Sequence, residues 1–349
     1  MKNALVFGAN GQAGSYMCQF LLDKGYTVVG TVRESLNTST THKNVGKVCD
    51  YATSDVGRRF FIQGSVDVTM YGEVFTILTR PFGYAVENFD EVYNFTGKMF
   101  APDSWREPNK YIEVNGLSVV PMLQALVHTE TKFFNAGSAE MFDKSTIYQD
   151  EQTKRAPENP YGWAKYLAEG LVASYRKKYG MFACTGIFFN MESPRRPQSF
   201  FAQKVAWGVA RAKRQTLNHQ VVDQLKFGKL SAVRDWGWTP NYVEAAWRIL
   251  QAAEPKDYVI GTGSCFTCKN MLEEALSAAG FSKDVDSTPW ITYEGGSSGD
   301  YDSMCANPKA ISNDLCWEAS YTMPDVVKML VEQELKNEGV LVDQSHFDR

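Results

Sequence analysis

The chain has 349 residues, 44% of them hydrophobic, with 36 basic and 40 acidic side chains and a formal net charge of −4. That is apolar material for a large core, and the charge balance gives no bulk attraction to nucleic acid or to an anionic membrane. No apolar run approaches a membrane span and MKNALVFGAN lacks the apolar core of a signal peptide, so a cytoplasmic protein is expected.

Ala4–Phe7 is wholly apolar, the mark of a strand buried on both faces of a parallel sheet. It runs into Gly8-Ala-Asn-Gly11-Gln-Ala-Gly14 and then a helical stretch, SYMCQFLLDKGY. Glycines at this spacing turn the chain sharply, let a pyrophosphate approach the backbone and let the helix pack close, which points to dinucleotide binding. The second strand, Thr27–Val32, is followed by Arg33 and Glu34. An arginine at that place suits a 2′-phosphate, so NADP is expected rather than NAD.

Phe60–Gln63, Glu91–Asn94, Lys132–Ala136 and Phe182–Phe188 continue the strand pattern, with a helical stretch at Val114–His128 between the second and third of these. Repeated βα units of this length predict an α/β fold, a Rossmann-type doubly wound parallel sheet. Residues 1–189 are assigned mainly to that domain, and residues 190–349 mainly to a smaller mixed α/β substrate lobe. The lobe contains a basic helix around Phe200–Arg214, and segments around 238–262 are expected to return to the sheet.

The stretch between Lys132 and Gly180 carries the chemistry. Asn159 reads as an N-cap with Pro160 in the first helical position, and Gly180 as the stop. Tyr161 and Lys165 are then one turn apart on one face. A tyrosine ionises near about pH 10, and an ammonium one turn away is expected to favour the phenolate and so make a usable base. Ser138, just past the Lys132–Ala136 strand, can hydrogen-bond the same oxygen. The seven cysteines are scattered and odd in number, and read as reduced thiols. Cys265 and Cys268 form a Cys-x-x-Cys without a second pair, so ordinary loop thiols and no metal are expected.

The glycine turn with Tyr-x-x-x-Lys and an upstream Ser resembles the extended short-chain dehydrogenase/reductase family. Within it the chain is most similar to the GDP-mannose 4,6-dehydratases. Further matches are Gly11-Gln-Ala-Gly-Ser-Tyr16, Asn190-Met-Glu-Ser-Pro-Arg-Arg196, Arg234-Asp-Trp-Gly237 and Asp257-Tyr-Val-Ile-Gly-Thr-Gly263. The resemblance implies Ser138, Glu140, Tyr161 and Lys165 as the catalytic set, with Glu140 as the base at C5 of the sugar. It implies that Gly8, Asn10, Gly11, Gln12, Gly14, Arg33, Tyr161 and Lys165 hold the cofactor. Ser104, Asn190, Glu192, Lys204 and Arg234 are the implied substrate contacts, with a GDP-linked sugar and a homodimer or homotetramer. The chain departs from the family pattern at Ala139, at Asn94-Phe-Thr-Gly-Lys-Met-Phe100, at Met191 and Glu34, and in Trp290–Cys305, where no late arginine stands. Two other readings stay open. One is a related nucleotide-sugar reductase, epimerase or dehydratase of another sugar; the other is a non-catalytic NADP-binding regulator.

Overall fold

A computed structural model describes residues 1–34, 43–55, 57–80, 88–294 and 303–340; residues 295–302 of the Trp290–Cys305 stretch lie outside it. Five strands, β1 (Asn3–Phe7), β2 (Thr27–Thr31), β3 (Arg59–Gln63), β4 (Glu91–Asn94) and β5 (Lys132–Ser138), form most of the main sheet. Ala183–Phe188 and Tyr258–Ile260 complete seven parallel strands, in the order Tyr258–Ile260, Ala183–Phe188, β5, β4, β1, β2, β3. The order reverses direction at β1, which opens a crevice beyond the strand ends. Residues Ala4 to Phe7 are fully buried because helices cover both faces.

Helix α1 (Gln12–Asp23) packs against the helix Thr239–Gln251, which comes from late in the chain. Tyr258–Ile260, also from late in the chain, pairs with Ala183–Phe188 in the main sheet. In place of one helix over Val114–His128 there are two, Pro108–Ile112 and Val119–Leu126, joined by a π-turn over Glu113–Leu117. Pro121 lacks the N–H that would bond back to Leu117, and the wider turn, with Ser118 N donating to Glu113 O at 3.0 Å, takes up the mismatch.

The lobe has its own core, built by the helices Phe201–Leu217, Cys268–Ala278 and Met323–Asn337. Val233–Arg234 lies between Phe266–Thr267 and Ser303–Ala306, and Trp236–Trp238 pairs with Asn190–Glu192. The buried Asp235 carboxylate locks these pieces together. It accepts from Thr262 N at 2.9 Å, Thr262 Oγ1 at 2.7 Å, Gly263 N at 2.9 Å and Ala306 N at 3.3 Å. One cysteine expectation is corrected here: Cys265 is disulfide-bonded to Cys305, with their Cα atoms 5.7 Å apart. The two lie 40 residues apart in sequence, Cys265 just before Phe266–Thr267 and Cys305 within Ser303–Ala306, the two segments that pair with Val233–Arg234.

Candidate active site

A cavity of about 590 Å³ runs over the strand ends, from Arg33 past the glycine turn to Ser138, Tyr161 and Arg234. Gly8 has φ +79°, and a Cβ there would lie 2.9 Å from the Phe95 carbonyl oxygen. A Cβ on Gly14 would lie 2.2 Å from Gly8 O, so glycine is what lets α1 begin against the strand. Gly11 is the N-cap of α1 and supplies no side-chain cap, and the first turn has no acidic residue. The open N-terminus and backbone cradle suit a dinucleotide pyrophosphate.

The residues expected around that group divide by role. Gly8, Asn10, Gly11, Gln12 and Arg33 line the cavity, whereas Gly14 lies behind it as a packing residue. Asn10 Oδ1 accepts from Val45 N at 3.2 Å, tying the turn to the helix Lys43–Thr53. Gln12 Nε2 donates to Met191 O at 2.9 Å and Thr239 Oγ1 at 2.6 Å, bracing the turn against the strand that carries Asn190. Arg33 is largely exposed and pairs with Glu34 at 3.1 Å.

At the other end, β5 runs two residues beyond the expected limit and delivers Ser138 to the cavity. A single 3-10 turn, Ala139–Met141, presents Glu140. The helix Pro160–Tyr179 starts as its sequence predicts: Asn159 Oδ1 accepts from Gly162 N at 2.9 Å, Pro160 opens the helix, and Gly180 ends it at φ +68°. Tyr161 and Lys165 both line the cavity. A Cβ on Gly162 would lie 2.4 Å from Glu140 O, so that glycine lets the Glu140 turn rest on the helix start.

The electrostatics correct one expectation. Burial raises the Tyr161 pKa above its ordinary value and outweighs a hydrogen bond with Ser138, which lowers it; the Glu140 charge adds to the rise and Arg196 opposes it. Lys165 is held by the backbone. Its ammonium donates to Ala136 O at 2.8 Å, and burial pushes its own pKa down to about 8.

Of the substrate-side residues, Asn190 and Arg234 line the cavity. Ser104 is buried and donates to Ala101 O at 2.6 Å, outside the lining. Lys204 Nζ donates to Lys226 O at 2.6 Å and lies 5.0 Å from the Phe227 ring centre, also outside it. Glu192 is buried behind the wall, 3.3 Å from Arg196, with its pKa raised by burial to about 7. Arg196, which sequence reasoning left unassigned, faces the cavity, stacks 3.8 Å from the Phe200 ring centre and donates to Met191 O at 3.0 Å. The i,i+4 spacing of Glu192 and Arg196 was the available signal. Lys98 also lines the cavity, paired with Glu107 and 5.3 Å from the centre of the Tyr111 ring, whose neighbour is Tyr161.

A seven-stranded parallel sheet with a glycine turn after β1 and Ser, Tyr and Lys at its strand ends defines an extended short-chain dehydrogenase/reductase. A family model for GDP-mannose 4,6 dehydratase matches residues 5–330. The chain is 32% identical over 360 residues to GDP-mannose 4,6 dehydratase 2 of Arabidopsis thaliana, covering 99% of this chain and 91% of that one. Against GDP-mannose 4,6-dehydratase of Vibrio cholerae it is 32% identical over 301 residues, covering 84% and 74%. The chain belongs to the GDP-mannose 4,6-dehydratase family. Its fold is similar to that of UDP-glucuronic acid 4-epimerase from Bacillus cereus, with a TM-score of 0.77 at 19% identity over 96% of this chain and 99% of that one.

The depressed Lys165 pKa has a stability consequence. Between about pH 8 and 10.5 the unfolded chain holds a proton that the folded chain has released, so stability rises with pH across that window and gains nothing from Lys165 below it. The melting temperature of wild type relative to Lys165→Met is therefore expected to climb from pH 8 to 10. A difference that stays flat would show that Lys165 titrates normally.

Proposed function

We propose that the protein is an NADP-dependent lyase that converts GDP-mannose to GDP-4-keto-6-deoxymannose. The observation that carries this reading is Glu140 beside Ser138 and Tyr161 in one cavity, since a reductase or 4-epimerase needs no base at C5. The nicotinamide ring would accept hydride from C4 and return it at C6. Ser138 Oγ holds the sugar 4-oxygen while Tyr161 Oη takes the 4-hydroxyl proton. Tyr161 acts in this step as its phenolate, the form that the Ser138 hydrogen bond favours against burial. The 4-ketone acidifies C5–H, and Glu140 removes that proton. The protonated carboxyl then gives it to the C6 hydroxyl, which leaves as water. The proton held by Tyr161 is available to return to C5, so protons balance.

Asn190 and Arg234, at the far end of the cavity, are proposed to meet the nucleotide diphosphate, where a guanidinium can bind two oxygens. Arg33 is proposed to pair with the cofactor's 2′-phosphate. The composition supports a cytoplasmic location, and no helix among the described residues is long and apolar enough to cross a membrane. We also propose a homodimer. Trp163, Tyr166 and Leu167 on the Tyr161 helix, Ile112 on a helix packed against it and Leu117 on the adjoining π-turn are all exposed apolar side chains. Light scattering that reads a monomer would remove that part of the proposal.

Proton NMR of the protein with NADP⁺ and GDP-mannose is expected to show a new C6 methyl doublet, abolished by Glu140→Gln. A methyl signal that survives the substitution would sink the role given to Glu140. Arg33→Ala is expected to weaken NADP binding about tenfold while leaving NAD unchanged, read by titration calorimetry. Equal loss for both dinucleotides would refute the 2′-phosphate contact.

A further inference from the structure

The side chain of Asn159 makes two bonds that join the helix start to the proposed base. Its Oδ1 accepts from Gly162 N at 2.9 Å, and its Nδ2 donates to Glu140 Oε2 at 3.0 Å. The orientation of the amide is forced. A backbone N–H can only donate, so the amide oxygen faces Gly162 and the nitrogen is left to face the carboxylate. Lys144 Nζ approaches the same Oε2 at 3.4 Å and reaches Glu158 Oε2 at 3.4 Å. No hydrogen bond among the described residues reaches Glu140 Oε1.

We infer that Asn159 is a positioning residue for the proposed base: it fixes the Glu140 carboxylate by one oxygen and leaves the other for the sugar C5 proton. The inference rests on the dehydratase reading given above. Glu140 sits on a turn of only three residues, with its side chain about one-fifth exposed. The neighbour that could have helped in sequence, Ala139, is buried in an apolar cluster with Met141, Phe142 and Ile187 and offers no polar atom. On the other faces stand Ser138, whose hydroxyl accepts from Glu140 N at 3.3 Å, and Tyr161, which shares the cavity. Asn159 thus couples two placements. The bond that starts the helix and aims Tyr161 comes from the same amide that aims Glu140, so the two groups are held in mutual register. A misplacement of about 1 Å at a reacting group can cost about 100-fold in rate.

Two substitutions separate this role from capping. Asn159→Ser and Asn159→Asp both keep an oxygen that caps the helix. Serine is too short to reach Glu140, and aspartate sets a like charge against it. With the NADP-loaded protein and GDP-mannose, Asn159→Ser is expected to keep its melting temperature and KM while kcat falls about tenfold or more. Reduced nicotinamide, followed by its near-ultraviolet absorbance, is expected to accumulate in a single turnover, because C4 oxidation continues and C5 deprotonation lags. Asn159→Asp is expected to lose more activity with the same signature. Wild-type kcat in Asn159→Ser would overturn the inference. So would a loss without accumulation of reduced nicotinamide, which would leave capping as the only role. An active Glu140→Gln would instead overturn the underlying dehydratase reading, a failure seen in a different variant.

Discussion

The site depends on one close approach, where the backbone of Glu140 crosses the first turn of the Tyr161 helix. A Cβ on Gly162 would fall 2.4 Å from Glu140 O and 2.9 Å from the Pro157 side chain, so the crossing is open only to glycine. It joins the end of β5, which carries Ser138, to the helix that carries Tyr161 and Lys165. A second approach of the same kind, Gly14 against Gly8 O, sets α1 on β1 and shapes the cofactor end. Between them these two contacts fix both ends of one cavity on a buried sheet, where side chains have little freedom to drift.

Burial is also what sets the electrostatics. Tyr161, Lys165 and Glu192 are each pushed toward their neutral forms by desolvation, in opposite pKa directions according to the sign of their charge. The partners that oppose it differ. Tyr161 has a hydrogen bond with Ser138, whereas Glu192 has the charge of Arg196. Removing either partner would leave the polar group buried with less to balance its desolvation.

The lobe contributes the other wall through short strands, and Asp235 is the knot among them. Its carboxylate gathers donors from Thr262, Gly263 and Ala306, so the segment holding Arg234 is pinned on two sides. The Cys265–Cys305 bond joins the same two segments. The loop after β4 is held by Asn115, whose amide exchanges bonds of 2.8 and 2.9 Å with the Lys98 backbone. That latch places Lys98, a departure from the family pattern, on the cavity wall.

Much of the fold was legible because its causes are local. An apolar run, a glycine turn with one steric solution and an Asn-Pro helix start act over a few residues, so β1, α1 and the Tyr161 helix follow from the sequence. Tyr161 and Lys165 on one face follow from helical period alone. The π-turn over Glu113–Leu117 was missed because Pro121 shows that a bond is lost without showing how the chain compensates. The sequence by itself therefore determined the sheet, the dinucleotide turn and the spacing of the Tyr/Lys pair. Tertiary structure alone decided the rest: the rise in the Tyr161 pKa, the Cys265–Cys305 pairing and the hold of Asn159 on Glu140. Each of those depends on burial or on neighbours brought together through space, which no spacing along the chain encodes.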